Sequence, residues 1–317
     1  MKQFLSVEDV SDPDALVSEA LAYKKSPFRD RQLGSGKTLG MIFLNPSLRT
    51  RVSTQVAARN LGMEVVVFNI DKEGWQLEFA DGTVMDGATT EHVKEAAAVL
   101  GQYFDILSVR TFPALRDRDE DYSEHVINQF VRYAGVPVVS LESATLHPLQ
   151  SLADLVTIRE LSGAERRPRV VLTWAPHVRA LPQAVPNSFV QWMKRWDKAD
   201  LVITHPEGYE LDPRYAGNAV VETNQDKALE GADFVYVKNW SSVTHYGQIL
   251  TRDPSWMITS DKLRVTNNAR VMHCLPVRRN LVIADDVLDS EASVVVLQAA
   301  NRVWAAQAVL SEILRNV

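Results

Sequence analysis

The chain is poor in residues that staple, chelate or anchor. Its single cysteine, Cys274, among 317 residues excludes an intrachain disulfide and accords with a reducing cytoplasm. Metal-ligand spacing of cysteine and histidine is absent, so neither a metal nor another cofactor is expected. No apolar run reaches the ~18 residues of a membrane span. The N-terminus shows no basic segment leading into an apolar core, so a signal peptide is not expected either. Positive charge is scarce. Thirty-four Lys and Arg face 40 Asp and Glu, a net charge of −6, without the basic footprint of a nucleic-acid binder. A local basic pocket for a small anion stays open. Neither a strand-linked G-x-G-x-x-G nor a G-x-x-x-x-G-K-[ST] loop occurs, which counts against a nucleotide-binding α/β enzyme.

What is present reads as an ordinary globular protein, 46% hydrophobic and 23% charged, long enough to bury a core without disulfides and to form two domains. Short apolar runs predict strands over Lys37–Leu44, Glu64–Ile70, Asp105–Val109 and Pro137–Ser140. In the second half they fall at Arg169–Thr173, Asp200–Thr204, Asp233–Val237, Val271–Cys274 and Val294–Leu297. Helical periodicity falls between them, at Glu8–Lys25, Arg49–Leu61, Glu91–Gly101, Ser123–Tyr133, His147–Leu161, Pro186–Lys194, Asn224–Leu229 and Asn301–Arg315. Strands alternating with helices predict α/β architecture with doubly wound parallel sheets covered on both faces.

Three short stretches hold the polar chemistry. Ser47-Leu48-Arg49-Thr50-Arg51 follows a predicted strand and opens a helix. Unpaired N–H groups and the partial positive charge of a helix start bind phosphate; Ser47 and Thr50 add hydroxyls, and Arg49 and Arg51 add forks suited to phosphate oxygens. A capped helix with two solvated arginines fits the same spacing. His147-Pro148-Leu149-Gln150 also opens a helix, and a histidine and glutamine one turn apart can share a ligand oxygen. Arg110 follows a strand end, where α/β proteins bind ligands. His273-Cys274-Leu275-Pro276 ends another strand; alone, its cysteine reads as a small buried hydrophobe.

Taken together and in order, F-x-N-x-S-x-R-T-R (Phe43 to Arg51), H-P-x-Q (His147 to Gln150) and H-C-L-P (His273 to Pro276) resemble the aspartate and ornithine transcarbamylases. The resemblance covers essentially the whole chain. It implies a carbamoyl phosphate site in which Ser47, Leu48, Arg49 and Thr50 hold the phosphate. Arg110, His147 and Gln150 would polarise the carbonyl, and Cys274, Leu275 and Arg302 would contact the carbamoyl amine and oxygen. Of these, Arg49, Arg110, His147, Gln150, Cys274 and Arg302 are the expected catalytic residues. Trp75 looks like the residue that family members lend to a neighbouring subunit's site, which implies a homotrimer; as bulk apolar sequence it could equally be core. Residues 1–150 with a C-terminal helix over 301–317 would bind carbamoyl phosphate, and 151–300 the acceptor. The resemblance further implies two domains bridged by two helices, with a knot near a proline-rich loop of the second.

The acceptor is read from a departure. Ornithine enzymes grip a free α-amine with D-x-x-x-S-M-G, whereas this chain has Val237-Lys238-Asn239-Trp240. The stretch Thr173 to Pro182, with Val185 to Ser188, Lys238 and Glu142, is similar to the N-acylornithine branch. N-succinylornithine carries one carboxylate more than N-acetylornithine, and Arg179, Lys238 and His177 are the candidate partners for it. Thr90 stands where succinyl enzymes have proline and acetyl enzymes glutamate, and matches neither. Glu142, His177, Arg179, Lys238, Thr90 and Leu275 are thus the expected acceptor-binding residues. The expectation is a cytoplasmic carbamoyltransferase of arginine biosynthesis acting on N-succinylornithine. N-acetylornithine, or a catalytically silent anion-binding paralogue, are the alternatives.

Overall fold

The computed structural model describes residues 1–163 and 166–316. Ala164, Glu165 and Val317, inside the expected ranges 151–300 and 301–317, lie outside the described residues. The chain divides into two compact units. One comprises residues 1–114, 119–149 and 302–317; the other comprises 115–118 and 150–301.

The first unit is built on a four-stranded parallel sheet of β1 (Thr38–Phe43), β2 (Glu64–Asn69), β3 (Ile106–Arg110) and β4 (Val138–Glu142), ordered β2-β1-β3-β4. The central strands β1 and β3 are near-continuous apolar runs because both faces are covered; every residue of β3, and every residue of β1 after Thr38, is buried. Helices α1 (Pro13–Lys25), α2 (Arg49–Asn60), α3 (Val93–Tyr103) and α4 (His125–Tyr133) belong to this unit. A core of Ile42, Ala97, Leu107, Val109, Phe130 and Val138 joins sheet and helices. Shortening Leu107 to alanine would cost about 2–5 kcal/mol. α3 and α4 cross closely: a Cβ at Gly101 would stand 1.7 Å from the Ala134 carbonyl oxygen.

In the second unit the parallel sheet holds β5 (Arg169–Trp174), β6 (Asp200–Thr204), β7 (Val220–Val221), β8 (Phe234–Lys238) and β9 (Arg270–Met272), ordered β9-β8-β5-β6-β7. Its helices include α5 (Pro148–Ser162), whose first two residues belong to the other unit, α6 (Ala184–Trp196) and α7 (Gln225–Leu229). Three tryptophans are fully buried, and two are satisfied by backbone carbonyls: Trp174 Nε1 donates to Trp240 O at 3.0 Å and Trp240 Nε1 to Tyr209 O at 2.7 Å, as buried indoles require.

Eight of the nine predicted strands lie within two residues of those observed. The ninth does not exist. Val295, Val296 and Leu297 open helix α8 (Val295–Leu314), with Val294 just before it; the helix starts earlier and ends earlier than the expected 301–317. Three β-branched residues suggest a strand, but burial follows a helical period: Val295 and Gln298 are buried while Val296 is 76% exposed. Tertiary packing overrides propensity here. Cys274 likewise falls beyond its strand, which stops at Met272. The first helix begins at Pro13, not Glu8, because the Asp12 carboxylate accepts from the backbone N–H groups of Asp14 and Ala15 at 2.9 and 3.0 Å. Val7–Asp9 is a separate 3-10 turn with its own Ser6/Asp9 capping box.

Candidate active site

Strand order places the chemistry. In the first sheet the winding reverses between β1 and β3, so a crevice opens at their carboxyl ends. Phe43, the last residue of β1, pairs in register with Arg110, the last of β3. The chain leaving β1 turns through Asn45-Pro46-Ser47 into α2, whose N-cap residue, Leu48, provides no side-chain cap. The predicted anion loop therefore sits at the switch point, on a helix start. Beside it, Asn45, Ser47, Leu48, Arg51, Asn69 and Lys72 line a cavity of about 220 Å³. Arg51 also lies against the Phe43 ring, 5.9 Å from its centroid.

Behind this loop the unit gathers five of the predicted residues. The buried hydroxyl of Thr50 accepts from Arg302 Nη2 at 2.6 Å and from Arg110 Nη1 at 3.4 Å. Arg110 pairs with the Glu142 carboxylate at 2.5 Å, and His147 Nε2 lies 3.6 Å from the same oxygen. All four of these partners are buried. Two guanidinia and a carboxylate are thus brought together in a poorly solvated place, where charge interactions are strong. Glu142, expected to bind acceptor, thus also neutralises Arg110.

Glu124, which the sequence did not single out, fastens the loop between Glu142 and His147. Its carboxylate accepts from Ser143 Oγ at 2.6 Å, Ala144 N at 3.1 Å, and Thr145 N and Oγ1 at 2.7 and 2.5 Å. It does so from a left-handed backbone, φ 53°, a strained conformation for a non-glycine residue. Trp75 is 52% exposed, so the core alternative fails; its Nε1 donates to Glu91 at 2.8 Å. Thr90 is exposed, with its backbone N–H bonded to Gln76 O at 3.0 Å.

The second sheet reverses between β5 and β8, whose final residues Trp174 and Lys238 pair in register. Lys238 is buried and donates to Asn239 O at 2.8 Å. The proline-rich stretch leaves β5 at this switch point. There Arg278 Nε donates to His177 Nε2 at 3.2 Å, while His177 Nδ1 lies 3.0 Å from Arg179 O. Nδ1 also accepts from the Arg179 backbone N–H at 3.1 Å, so the Arg179 main chain brackets this edge of the ring. Burial first, then the charges of Lys238, Arg278 and Arg179, hold the His177 pKa below its ordinary value, against the raising effect of the Arg179 carbonyl. The Arg179 side chain is exposed. Arg278 was missed by sequence reasoning, which had no local signal for a partner 101 residues away.

The H-C-L-P segment follows β9. Leu275 has φ 56°, and its N–H donates to His273 Nδ1 at 2.8 Å. Cys274 is a half-buried thiol outside any disulfide. Gln150 Nε2 donates to Asp154 at 2.7 Å. Among the described residues no group of three or more His, Cys, Asp or Glu could hold a metal ion, and no helix is long and apolar enough to cross a membrane.

Twin parallel sheets, an anion loop on a helix start and paired arginines behind it define a carbamoyltransferase, and the chain belongs to the aspartate/ornithine carbamoyltransferase family. The family's carbamoyl-P binding domain matches residues 2–160 and its Asp/Orn binding domain residues 183–313. Within the family it falls in the N-acylornithine branch. It is 53% identical to an N-succinylornithine carbamoyltransferase of Bacteroides thetaiotaomicron over 100% of both chains. It is 35% identical to an N-acetylornithine carbamoyltransferase of Xanthomonas axonopodis pv. citri, over 98% of this chain and 96% of the other. Among solved structures it superposes on an N-acetyl-L-ornithine transcarbamylase in which one glutamate is replaced by alanine, complexed with carbamyl phosphate and N-succinyl-L-norvaline. The TM-score is 0.92 at 35% identity, covering 99% of this chain and 100% of that one.

Proposed function

We propose that the chain transfers the carbamoyl group of carbamoyl phosphate to the δ-amine of N-succinyl-L-ornithine, giving N-succinyl-L-citrulline and phosphate, a step of arginine biosynthesis. The observation that carries the reading is the convergence of Arg110 and Arg302 on the Thr50 hydroxyl beside an uncapped helix start. The amine attacks the carbamoyl carbon, a C–N bond forms, and the bond from that carbon to the phosphate oxygen breaks. Negative charge grows on the carbonyl oxygen. Arg110, His147 and the Thr50 hydroxyl stabilise it, with Gln150 as a further donor; each such donor is worth about 3 kcal/mol. Ser47, Leu48, Arg49 and the helix start hold the departing phosphate, and Cys274, Leu275 and Arg302 contact the carbamoyl amine and oxygen. An alkyl ammonium has pKa near 10.4, so presenting a neutral amine at pH 7 costs about 4–5 kcal/mol. The leaving phosphate accepts the amine proton. Positioning supplies much of the rest.

N-succinylornithine is favoured as acceptor by the 53% identical relative's activity. Exposed Arg179 at the mouth of the second switch point, with Lys238 and His177 close by in sequence or register, suits an extra carboxylate. Thr90, unlike glutamate, does not repel one. The reading includes a cytoplasmic homotrimer in which exposed Trp75 serves a neighbouring subunit. It also includes threading of the chain near the proline-rich loop, where Ser241 N donates to Leu181 O at 2.9 Å and Gln183 Nε2 to Ser241 O at 2.7 Å.

The test is product formation from carbamoyl phosphate with ornithine, N-acetylornithine and N-succinylornithine in parallel. Reaction with N-succinylornithine above the other two is the expected result. Preference for N-acetylornithine would overturn the acceptor, preference for ornithine the branch reading, and no reaction the enzyme reading.

A further inference from the structure

The second unit contains a buried carboxylate to which neither the motif comparison nor the proposed mechanism gives a task. Asp154 lies on α5, one helical turn after Gln150, and is wholly inaccessible to solvent. An ionised side chain there is tolerated only when strongly hydrogen-bonded. Its Oδ1 accepts from Gln150 Nε2 and from Gln298 Nε2, both at 2.7 Å. Gln298, also fully buried, stands on the first turns of α8 and uses its carbonyl to accept from His273 N at 2.8 Å. The His273 ring then accepts from Leu275 N at 2.8 Å.

A carboxylate accepts and never donates when ionised, so it dictates which end of each amide it meets. Gln150 must turn its –NH₂ toward Asp154, and Gln298 must do the same. Only then does the Gln298 carbonyl face the main chain of His273. One side chain therefore sets the polarity of Gln150, at the start of α5, and the path of the His273–Leu275 backbone, where Leu275 is held at positive φ. Burial, and after it the Asp154 charge, pushes the neighbouring Tyr236 hydroxyl well above its usual pKa, so the tyrosine stays protonated beside the carboxylate.

We propose that Asp154 is a positioning residue for carbamoyl transfer, registering Gln150 and, through Gln298, the Cys274–Leu275 segment as one unit. The inference rests on the carbamoyl phosphate reading above. It does not depend on which acceptor is used.

Asp154→Asn in the full chain is the direct test, because an amide keeps the size but offers one acceptor oxygen and one donor. Carbamoyl phosphate binding, measured by calorimetry without acceptor, is expected to weaken at least tenfold. Turnover is expected to fall about a hundredfold, while the KM for the N-acylornithine changes less than threefold. A residue that only stabilised the fold would lower the melting temperature and leave this split unmoved. In Asp154→Asn/Gln298→Glu, donor and acceptor are exchanged while His273 N keeps its acceptor, and much of the carbamoyl phosphate affinity should return. If Asp154→Asn does not fold, Gln298→Met is the second probe, with at least fivefold weaker carbamoyl phosphate binding expected. Wild-type affinity and turnover in a folded Asp154→Asn or Gln298→Met protein would overturn the proposal. Failure of the wild-type chain to bind carbamoyl phosphate would instead overturn the functional reading beneath it.

Discussion

Arg302 and Thr50 are 252 residues apart in sequence, yet the guanidinium Nη2 lies 2.6 Å from the threonine hydroxyl. The same hydroxyl accepts from Arg110 at 3.4 Å, so a single small side chain spaces two buried cations. Thr50→Val keeps the shape and removes the acceptor. Steady-state kinetics should show kcat lower by about 10²–10³-fold, as for loss of one transition-state donor. Thr50→Ser should retain most of the activity. Equal rates for the valine and serine variants would remove the hydroxyl from the mechanism.

Arg110 and Arg49 should behave differently on removal. Arg49→Ala is expected to abolish turnover with little change in melting temperature. Arg110→Ala abolishes turnover too, but it strands the Glu142 carboxylate, 8% exposed and paired at 2.5 Å. An uncompensated buried charge costs about 3–5 kcal/mol. Denaturant titration should show that loss, and Arg110→Ala/Glu142→Gln should recover much of it. A double variant no more stable than the single one would mean that the pair is not what holds this site.

Arg179 gives a substrate-selective prediction. Its side chain is exposed, whereas Lys238 is buried against Asn239 O. If Arg179 meets the succinyl carboxylate, Arg179→Ala loses a charged hydrogen bond of about 1.5–3 kcal/mol. That is roughly a 10- to 100-fold lower kcat/KM for N-succinylornithine, with a smaller change for N-acetylornithine. Proportional losses on the two acceptors would remove Arg179 from carboxylate recognition.

His177 makes stability depend on pH. Burial and the nearby cations Lys238, Arg278 and Arg179 depress its folded pKa below the ordinary 6.5. The unfolded chain therefore binds the proton more readily, and stability rises with pH across the window between the two values. This contribution is fully present above pH 6.5 and lost as pH falls below it. His177→Gln should flatten the melting temperature between pH 7 and pH 5 relative to the wild type; an unchanged slope would assign the dependence elsewhere.

Trp75 tests the assembly. The ring is 52% exposed and held at its edge by Glu91, so Trp75→Ala should spare the fold. Mixing folded Trp75→Ala and Arg49→Ala subunits, each inactive alone, should restore part of the turnover if a tryptophan from one copy completes the site of another. No recovery in verified mixed assemblies would confine Trp75 to its own subunit.

Much of this protein was legible in one dimension. Apolar runs such as Val235 to Val237 and helix signals such as Pro13 depend on neighbours in sequence, so strands were placed within two residues and the anion loop was found on a helix start. What local order could not carry was decided by packing. Val295 to Leu297 joined a helix because their burial follows a helical period. Arg278 was brought to His177, Glu124 to the loop before His147, and Asp154 to Gln298 across 144 residues. Propensity is a property of a segment, and sequence by itself therefore determined the elements and the motif. The partner of a buried charge is whichever group the whole fold delivers within hydrogen-bonding distance, and that only the tertiary structure decided.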